Sequence, residues 1–387
     1  MAAMFPDQHS IDTFLRDYWQ KKPLLLKQAL PGFTDPLSPE ELAGLACESF
    51  VESRLVRYRN RQWHLQNGPF EESLFAILPD DDWTLLVQRV DHFIPALKKL
   101  LRQVSFVPRW RVDDVMVSYA EAGGGAGPHF DHYDVFIIQG LGSRCWKTGQ
   151  HCKDNDLLRS DSGLRILEHF DTRQEWKLEP GDVLYIPPGV AHWGVALDSS
   201  LSYSIGFRAP SLREMILGFG DEICDHLDED QRYGDPDLHP ATRTGEISIA
   251  VLEKMEQMLT SALNDRLALA RWLGKSMTAP DDPDLLDPAR EAEPQPIQQL
   301  LASRPGLTCN PASRFSWTAL PGRLLLFADG ELLETGNAGN KSRQLAELLA
   351  GTDYPQPLPL DEYCNDPDCI KILAWLYNQG SLVQAQE

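Results

Sequence analysis

Two short segments of the chain carry residue types that can bind a transition metal. The first is GGGAGPHFDHYDVFIIQG, residues 123–140, in which one residue separates His129 from Asp131. Residues i and i+2 of a β-strand project from the same face, so a strand here would present an imidazole and a carboxylate to one metal ion. His-x-Asp is common by chance, and alone it is a weak indication of a metal site.

The second segment, EPGDVLYIPPGVAH, ends at His192 and strengthens this indication. It combines an apolar strand with a rigid Pro-Pro-Gly turn that leads directly to the histidine. Two histidines and one carboxylate are the donor set of the non-haem Fe(II) oxygenases, which keep coordination positions open for a bidentate cosubstrate and dioxygen. A zinc hydrolase would accept the same ligands. His129, Asp131 and His192 therefore predict a metal site without deciding the metal.

Arg144 bears on the choice of reaction. It follows His129 by fifteen residues, beyond the apolar run 135–138. A five-carbon keto-diacid can chelate iron through its keto-acid end, and a cation at this distance from the metal ligands could bind its other carboxylate. Arginine suits this role because its guanidinium binds a carboxylate through two hydrogen bonds. Gly142-Ser143-Arg144 is equally typical of a solvated turn, so position alone leaves both interpretations open.

The elements that must position these residues are short strands separated by glycine and proline. The predicted strands are Val112–Tyr119, Asp134–Gln139, Trp146–Thr148, Glu175–Leu178, Asp182–Ile186 and Leu201–Phe207. Such a series is typical of a sandwich or barrel, and a double-sheet jelly roll of the cupin type is one of its few closed forms. Residues 181–192 also match the second cupin motif up to its histidine, although the usual final Asn is absent.

The flanking regions have helical patterns. Up to about residue 100 we expect mainly helix, with one short strand. The predicted elements there are a helix opening at Ile11–Leu15, a strand at Pro23–Lys27, a helix capped by Ser38, and a helix over Trp83–Leu101. After Pro210 we expect two amphipathic helices, Leu212–Leu227 and Ile247–Leu273, and then a linker rich in Pro and Asp over Ala279–Pro296.

The last ninety residues have the pattern of a small module of helices and a hairpin. The predicted elements are a helix at Ile297–Ser303, a strand pair at Arg323–Phe327 and Glu331–Glu334 turned by Asp329-Gly330, and helices near Ser342–Leu349 and Pro367–Tyr377. This order is compatible with a winged helix. It allows a metal-binding DNA regulator as an alternative function, but the module has no strong basic stripe.

Composition narrows the kind of partner and compartment. The chain has 57 acidic and 36 basic residues, a formal charge of -21, which argues against binding to nucleic-acid phosphates and suits a basic protein partner. Acidity that serves only solubility is the alternative. The seven cysteines form no CxxC pair, and we expect reduced thiols. The sequence shows neither a signal peptide nor an apolar run long enough to span a membrane, so we expect a soluble cytoplasmic protein.

Three segments of the chain resemble a known protein family. WRVDDVMVSYAEAGGGAGPHFDHYDVFIIQG, EPGDVLYIPPGVAHWG and LSYSIGFRAPSLRE are similar to the JmjC-type cupin oxygenases that depend on Fe(II) and 2-oxoglutarate. More closely, the chain resembles their ribosomal-oxygenase branch, which includes bacterial enzymes that hydroxylate an arginine of large-subunit ribosomal protein L-sixteen. The resemblance implies that His129, Asp131 and His192 are iron ligands, and that Arg144 and Ser118 bind 2-oxoglutarate.

The resemblance also gives the site a substrate. Asp114, Met116 and Ser118 alternate along one predicted strand and should face the same way. Met116 and Tyr133 would then flank the aliphatic stem of a substrate arginine, and Asp114 would bind its guanidinium. By the same resemblance Ser204 lies at the substrate position, while the role of Ser202 stays open. The alternative is that Met116 is core, Asp114 a strand-end cap and Tyr133 a packing residue.

The sequence predicts a mixed α+β protein. Its core is a double-stranded β-helix of the JmjC cupin type within residues 1–210, followed by a helical dimerisation region and linker at 211–295 and a winged-helix-like domain at 296–387. We expect an arginine hydroxylase that uses Fe(II), 2-oxoglutarate and dioxygen, acts on a basic ribosomal protein, forms a homodimer, and binds neither nucleic acid nor membranes. Hydroxylation of histidine and demethylation of N-methyl-lysine are alternatives on the same scaffold.

Overall fold

The chain divides into two units by its internal contacts. The computed structural model describes residues 3–159, 163–228, 230–280, 283–286, 301, 306–336, 339–352 and 357–385. The first unit is Met1–Ala209, and the second is Pro210–Thr352 with Gln356–Glu387. Within the described residues no helix is long and apolar enough to cross a membrane.

The first unit is mainly β-structure with short helices. Its strands are β1 (Leu24–Leu26), β2 (Ser53–Arg59), β3 (Gln62–Asn67), β4 (Trp83–Val87), β5 (Val112–Ala120), β6 (Val135–Gln139), β7 (Arg144–His151), β8 (Gln174–Leu178), β9 (Val183–Ile186), β10 (Val190–Ala196) and β11 (Ser200–Phe207). Its helices are α1 (Gln8–Asp17), α2 (Pro39–Leu45), α3 (Glu72–Phe75) and α4 (Lys98–Leu101). All six predicted strands of the core are present, with ends shifted by a few residues.

Two antiparallel sheets form the core of this unit, as the predicted jelly roll requires. Eight strands pair in the order β1-β9-β6-β11-β5-β4-β2-β3, and three in the order β10-β7-β8. Val135, Ile137 and Leu184 of the larger sheet pack in one apolar cluster with Trp146 and Leu178 of the smaller sheet. The inner faces of the two sheets therefore lie against each other.

The outer face of the eight-stranded sheet packs on the N-terminal segments. Val117, Phe136 and Tyr203 belong to one buried cluster with Phe14 of α1 and Leu42 of α2. Helix α2 begins as predicted, because Ser38 and Glu41 form a reciprocal capping box at its first turn. These helices cover one face of the sheet, so the other face is free to carry polar residues.

The prediction of mainly helix before residue 100 is wrong for residues 53–67 and 83–87. These residues form β2, β3 and β4, and β4 pairs with both β2 and β5. The predicted helix Trp83–Leu101 is instead β4, two single 3-10 turns at Val90–His92 and Pro95–Leu97, and the short helix α4. All five residues of β4 are buried, and a strand buried on both faces shows a continuous apolar run that periodicity does not distinguish from a helix.

The second unit combines helices with two small antiparallel sheets. Its helices are α5 (Leu212–Cys224), α6 (Ile249–Leu263), α7 (Arg266–Thr278), α8 (Asn340–Gly351) and α9 (Pro367–Asn378), with a 3-10 turn at Pro283–Leu285. Its strands are β12 (Leu307–Cys309), β13 (Phe315–Leu320), β14 (Arg323–Ala328), β15 (Glu331–Gly336) and β16 (Leu382–Gln384). The predicted hairpin, its Asp329-Gly330 turn and the last two helices are confirmed, whereas β13 was not predicted.

One predicted helix of this unit is two helices. The segment predicted as Ile247–Leu273 breaks after Asn264, because the Asp265 side chain accepts hydrogen bonds from the backbone N–H groups of Leu267 and Ala268 and so starts α7. Most of the predicted linker, Ala279–Pro296, and of the predicted helix, Ile297–Ser303, lies outside the described residues.

Candidate active site

The structure brings the three predicted metal ligands together. One ligand atom from each of His129, Asp131 and His192 lies within 4.8 Å of the other two, and this is the single such group of three among the described residues. His192 Nε2 is 3.5 Å from Asp131 Oδ2, and the centroids of the two imidazole rings are 4.3 Å apart. Two nitrogen donors and one carboxylate so placed can bind one metal ion and leave its other positions open.

The local structure that places His129 differs from the prediction. His129 and Asp131 do not lie in a regular strand. Instead, His129 forms an isolated antiparallel bridge with His192, whose strand β10 was not predicted. The backbone N–H of each histidine donates to the carbonyl of the other, at 3.0 and 2.8 Å. The Gly189 N–H donates to the Asp131 carbonyl at 2.7 Å, so backbone hydrogen bonds rather than strand alternation align the donors.

Hydrogen bonds also orient both imidazole rings. His129 Nδ1 lies 2.8 Å from the Gly127 carbonyl, and His192 Nδ1 lies 2.9 Å from the Val190 carbonyl. A carbonyl can only accept, so each Nδ1 carries the proton and each Nε2 keeps its lone pair for a metal. Burial and the neighbouring His129 lower the pKa of His192 to about 4, which keeps that ring neutral.

Asp134 fixes the far end of the loop that carries Asp131. Its fully buried carboxylate accepts hydrogen bonds from Tyr185 Oη at 2.6 Å and from Gln20 Nε2 at 2.9 Å. Arg111 Nη2 approaches it at 3.4 Å. Sequence reasoning missed Asp134 because its partners come from segments distant in the chain.

Arg144 is the first residue of β7 and is buried, so the solvated-turn interpretation is wrong. Its Nε and Nη1 donate to the hydroxyls of Ser200 and Ser118 at 2.9 and 2.8 Å, and Nη2 donates to the carbonyls of the same two serines. Ser118 Oγ is also 3.0 Å from Ser202 Oγ. Ser118 thus contacts Arg144 directly, and Ser202, whose role was open, joins the same cluster.

The surroundings of Arg144 fit an anionic ligand. All four of its hydrogen bonds go to neutral oxygens, and no carboxylate contacts the guanidinium among the residues that the structure describes. Burial alone lowers the pKa of Arg144 to about 10, so the group stays charged at neutral pH. One N–H of Nη1 is left without an acceptor, and a buried cation of this kind calls for a carboxylate partner.

Two further polar atoms near this cluster are also unsatisfied. Thr84 Oγ1 and Trp146 Nε1 are buried and have no hydrogen-bond partner in the described part of the chain. Thr84 pairs with Ala120, which in turn pairs with Ser200, so these residues share a face of the sheet. The Trp146 indole lies flat against Gly194. Neither residue was predicted, since neither belongs to a motif.

The predicted substrate residues lie further along the inner face of the same sheet. Strand register places Ser204 opposite Met116 and Ser202 opposite Ser118. A Cβ at Gly206 would lie 3.5 Å from Asp114 Oδ1 and 4.0 Å from Tyr133 Cε2, so these two side chains converge over a position that has no side chain. Met116 packs on Leu86 and its neighbours, which partly bears out the alternative that it is core.

Electrostatics distinguish Asp114 from an ordinary surface acid. Its Oδ2 accepts the backbone N–H of Arg89 at 2.9 Å. Burial, together with the charges of Asp91 and Asp113, raises the pKa of Asp114 to about 7. The Asp131 carboxylate and burial raise the pKa of Tyr133, so the phenol keeps its proton. The site therefore combines a neutral aromatic ring with a partly buried acid that a cationic ligand would stabilise as the anion.

Comparison with known proteins decides the family. A JmjC domain profile matches residues 99–215. The ribosomal protein uL16 3-hydroxylase of Escherichia coli K12 is 40% identical over 375 residues, which cover 95% of each chain. The probable ribosomal oxygenase of Haemophilus influenzae is 37% identical over 268 residues, 67% of this chain and 65% of the relative. This chain belongs to the JmjC-domain ribosomal oxygenases.

A solved structure of the family bears on the metal and the cosubstrate. The structure of the Escherichia coli ribosomal oxygenase YcfD in complex with cobalt and 2-oxoglutarate has a TM-score of 0.82 and 34% identity, covering 96% of this chain and 97% of that one. Both the donor set of His129, Asp131 and His192 and the uncompensated Arg144 fit such ligands. The chain is a 2-oxoglutarate-dependent dioxygenase with Fe(II) as its metal, and the zinc hydrolase alternative is wrong.

Proposed function

We propose that this ribosomal oxygenase hydroxylates an arginine side chain of ribosomal protein uL16, the protein called L-sixteen above. Asp114 is the observation that carries the proposal, because this partly buried carboxyl converges with the Tyr133 ring beside Met116 on the inner face of the sheet. A guanidinium needs an acid partner, whereas a neutral imidazole does not. The Escherichia coli relative is a 3-hydroxylase of uL16 and supports the same target.

In this proposal three residues hold the iron and two hold the cosubstrate. His129, Asp131 and His192 bind Fe(II) through Nε2, a carboxylate oxygen and Nε2. Arg144 and Ser118 bind the distal carboxylate of 2-oxoglutarate, with the free N–H of Arg144 Nη1 as the donor that requires it. The bound iron, 2-oxoglutarate and dioxygen supply the oxidation that converts a C–H bond into C–OH, releasing succinate and carbon dioxide.

The protein residues around the substrate arginine orient it. Asp114 binds the guanidinium, and the pairing keeps the carboxyl ionised despite its burial. Met116 and Tyr133 hold the aliphatic stem from two sides, and the absence of a side chain at Gly206 leaves space for the ligand. Ser204, opposite Met116 in the register, borders the same position. The restrained stem presents one side-chain carbon to the iron.

The direct test is turnover of candidate peptides by the protein with Fe(II), 2-oxoglutarate and dioxygen. We expect a gain of one oxygen atom on an arginine of a uL16 peptide, located by fragmentation mass spectrometry. Matched peptides with lysine or histidine at that position should stay unmodified. Oxidation of a histidine peptide, or loss of a methyl group from an N-methyl-lysine peptide, with no change of the arginine peptide would contradict the assignment.

We also propose that the enzyme is a homodimer through α5 and α6. These helices carry large apolar side chains exposed to solvent, among them Ile216, Leu217, Leu252 and Leu259, each more than half exposed. Exposed apolar side chains in this number are typical of an interface. Light scattering should give twice the chain mass for the wild-type protein and the single mass for Ile216→Glu/Leu259→Glu. The single mass for both would contradict the dimer.

The finer domain assignments stay proposals of the same kind. We divide the chain into a catalytic domain at 1–210, a helical region and linker at 211–295, and a winged-helix-like domain at 296–387. The hairpin of β14 and β15, with α8 and α9 beside it, supports the last of these. An enzyme acting on a ribosomal protein would work in the cytoplasm, where its substrate is made.

A further inference from the structure

Arg54 lies on the inner face of the large sheet, two strands away from the cosubstrate cluster. It is in β2, opposite Leu86 of β4, and Leu86 is opposite Ser118 of β5. Ser118 is opposite Ser202 in β11. Paired residues of antiparallel strands project from the same face, so these four side chains form one row across the sheet. No motif points to Arg54, and the reaction described above does not use it.

Gln88 lies diagonally across from Arg54. It follows β4 by one residue, and its backbone N–H still donates to the Glu52 carbonyl at 3.0 Å, so the pairing with β2 extends to this point. The alternation of strand residues puts Gln88 on the face of Leu86. Diagonal neighbours on one face are about 7–8 Å apart, within reach of long side chains. On the other side, the register of Val87 with Val117 puts Met116 opposite Gln88.

Each of these residues has a buried polar atom without a partner. Arg54 Nε, a donor, and Gln88 Oε1, an acceptor, are both shielded from solvent and make no hydrogen bond with any residue that the structure describes. Proteins pair most such atoms, so an unpaired donor and an unpaired acceptor at diagonal positions of one face point to a ligand. Arg54 also lies close enough to Tyr133 for its charge to oppose the effect of Asp131 on that phenol.

The chemistry of the two atoms selects the ligand. A carboxylate would accept a hydrogen bond from Arg54 but would be repelled by Gln88 Oε1. A cationic side chain would donate to Gln88 Oε1 but would be repelled by Arg54. An amide group has one acceptor and one donor and satisfies both. In an extended residue, the backbone C=O and N–H point to the same side of the chain, as they do along a strand edge. A substrate held by its side chain between Met116 and Tyr133 brings its main chain to this part of the surface.

We propose that Arg54 and Gln88 bind the main chain of the protein substrate next to the target arginine. Arg54 Nε–H donates to a substrate carbonyl, and Gln88 Oε1 accepts a substrate N–H. The inference rests on the proposed function, since it needs a peptide whose side chain enters the pocket. It adds a subsite that recognises the backbone whatever its sequence, and that distinguishes a polypeptide from free arginine.

The test is a double-mutant cycle that combines a substitution in the enzyme with a change in the backbone of the substrate peptide. Affinity for a uL16 peptide is measured by calorimetry without dioxygen, and turnover is measured separately with it. The peptide is compared with versions in which an ester replaces each amide flanking the arginine in turn, which removes one N–H. Gln88→Met removes the acceptor, and Arg54→Met removes the donor. Arg57→Met, on the opposite face of β2, is the matched control.

We expect Gln88→Met and Arg54→Met each to weaken peptide binding about tenfold, as befits the loss of one hydrogen bond at a buried site. One ester position should weaken binding to the wild type similarly and have no further effect on Gln88→Met. Affinity for 2-oxoglutarate should not change in any variant, and Arg57→Met should bind the amide peptide nearly as the wild type does. These values support the subsite.

Two outcomes overturn the proposal. If the ester and Gln88→Met weaken binding independently, so that their effects multiply, the N–H does not meet Gln88. If neither Gln88→Met nor Arg54→Met changes the affinity, the subsite does not exist. Peptide that binds in the expected pattern but gains no oxygen contradicts the proposed reaction and leaves the subsite supported, whereas absence of peptide binding contradicts both.

Discussion

The two faces of the eight-stranded sheet are made from alternate residues of the same strands, yet they differ in composition. In β5, Val115 and Val117 enter the apolar cluster with the N-terminal helices, while Met116 and Ser118 face the smaller sheet. In β11, Tyr203 and Ile205 do the same on the outer side, and Ser202 and Ser204 lie on the inner side. One strand therefore serves stability with one set of residues and chemistry with the other.

The inner face carries charged side chains away from solvent, which the apolar outer face does not. Within the described residues Arg144 is buried without a carboxylate partner, and Asp114 is partly buried near two other acids. Each arrangement is unfavourable in the absence of a ligand of opposite charge. The outer face has rings in contact instead, such as Phe136 against Phe14 at 5.5 Å and Tyr185 at 5.0 Å. Substitutions on the two faces should thus change different measurable quantities.

The largest effect is expected from the inner face at the metal. His192→Ala removes one of the three ligands, and kcat should fall at least about 1000-fold because the oxidation depends on the metal. Iron content of the purified protein and product formation measure this. His132→Ala is the matched control, since His132 contacts Asp154 at the surface and is not in the triad. Equal loss in both variants would exclude a specific role for His192.

A substitution on the outer face should act on stability instead. Phe136→Ala removes a fully buried ring from the aromatic cluster and should lower the free energy of unfolding by about 3–5 kcal/mol. Denaturant unfolding measures this. The folded variant should keep kcat and the KM for 2-oxoglutarate within about threefold, because the Phe136 ring packs in the outer cluster and not with Arg144 or the metal ligands. A stable variant with a large loss of kcat would show that the two faces are not separable.

Substitution of Arg144, also on the inner side, should have a smaller effect on the reaction than loss of a metal ligand. Arg144→Gln should raise the KM for 2-oxoglutarate about 30–100-fold, since a charge-assisted pair to a buried carboxylate is lost. Affinity for iron should change little. Arg144→Lys, which keeps a cation, should recover part of the loss. Unchanged 2-oxoglutarate affinity in Arg144→Gln, measured by calorimetry, would remove this residue from the cosubstrate site.

The smallest expected effect is a pH dependence at Asp114. Its pKa is raised to about 7, so the carboxyl becomes protonated as the pH falls below that value and loses its attraction for a guanidinium. The KM for the arginine peptide should rise about tenfold between about pH 8 and about pH 6. In Asp114→Asn the KM should be higher and independent of pH over this range, and a pH profile that persists in the variant would assign the titration to another group.

The raised pKa of Asp114 also predicts how the stability of the protein changes with pH. A carboxyl with a raised pKa in the folded protein favours the fold when it is protonated, so Asp114 increasingly destabilises the substrate-free protein as the pH rises from about 4, the ordinary pKa of an aspartate, to about 7. Asp114→Asn should therefore melt at a higher temperature than the wild type at about pH 8 and at a similar temperature near about pH 4. A lower melting temperature at both values would contradict the burial of an uncompensated charge.

Local patterns were enough to predict much of the fold and part of the site. Strands β5, β6, β9 and β11 are bounded by glycine and proline and have apolar runs, and the capping box at Ser38 is readable from four residues. The alternation of Asp114, Met116 and Ser118 predicted their common face. The hydrophobic periodicity did not identify β4 as a strand, because both faces of β4 are buried. It also did not show that one long apolar pattern is two helices, which separate at Asp265 before α7.

The sequence by itself determined the residue types of the metal site, the turn before His192, and the alternation that separates the two faces of each strand. Only the tertiary structure decided that His129 meets His192 through a backbone bridge and that Arg144 is buried on two serines. It also decided that Arg54 and Gln88 each present an atom on the inner face that has no partner among the described residues. Local geometry repeats every two residues along a strand and can be read from sequence, whereas strand register and the pairing of buried polar groups depend on segments far apart in the chain.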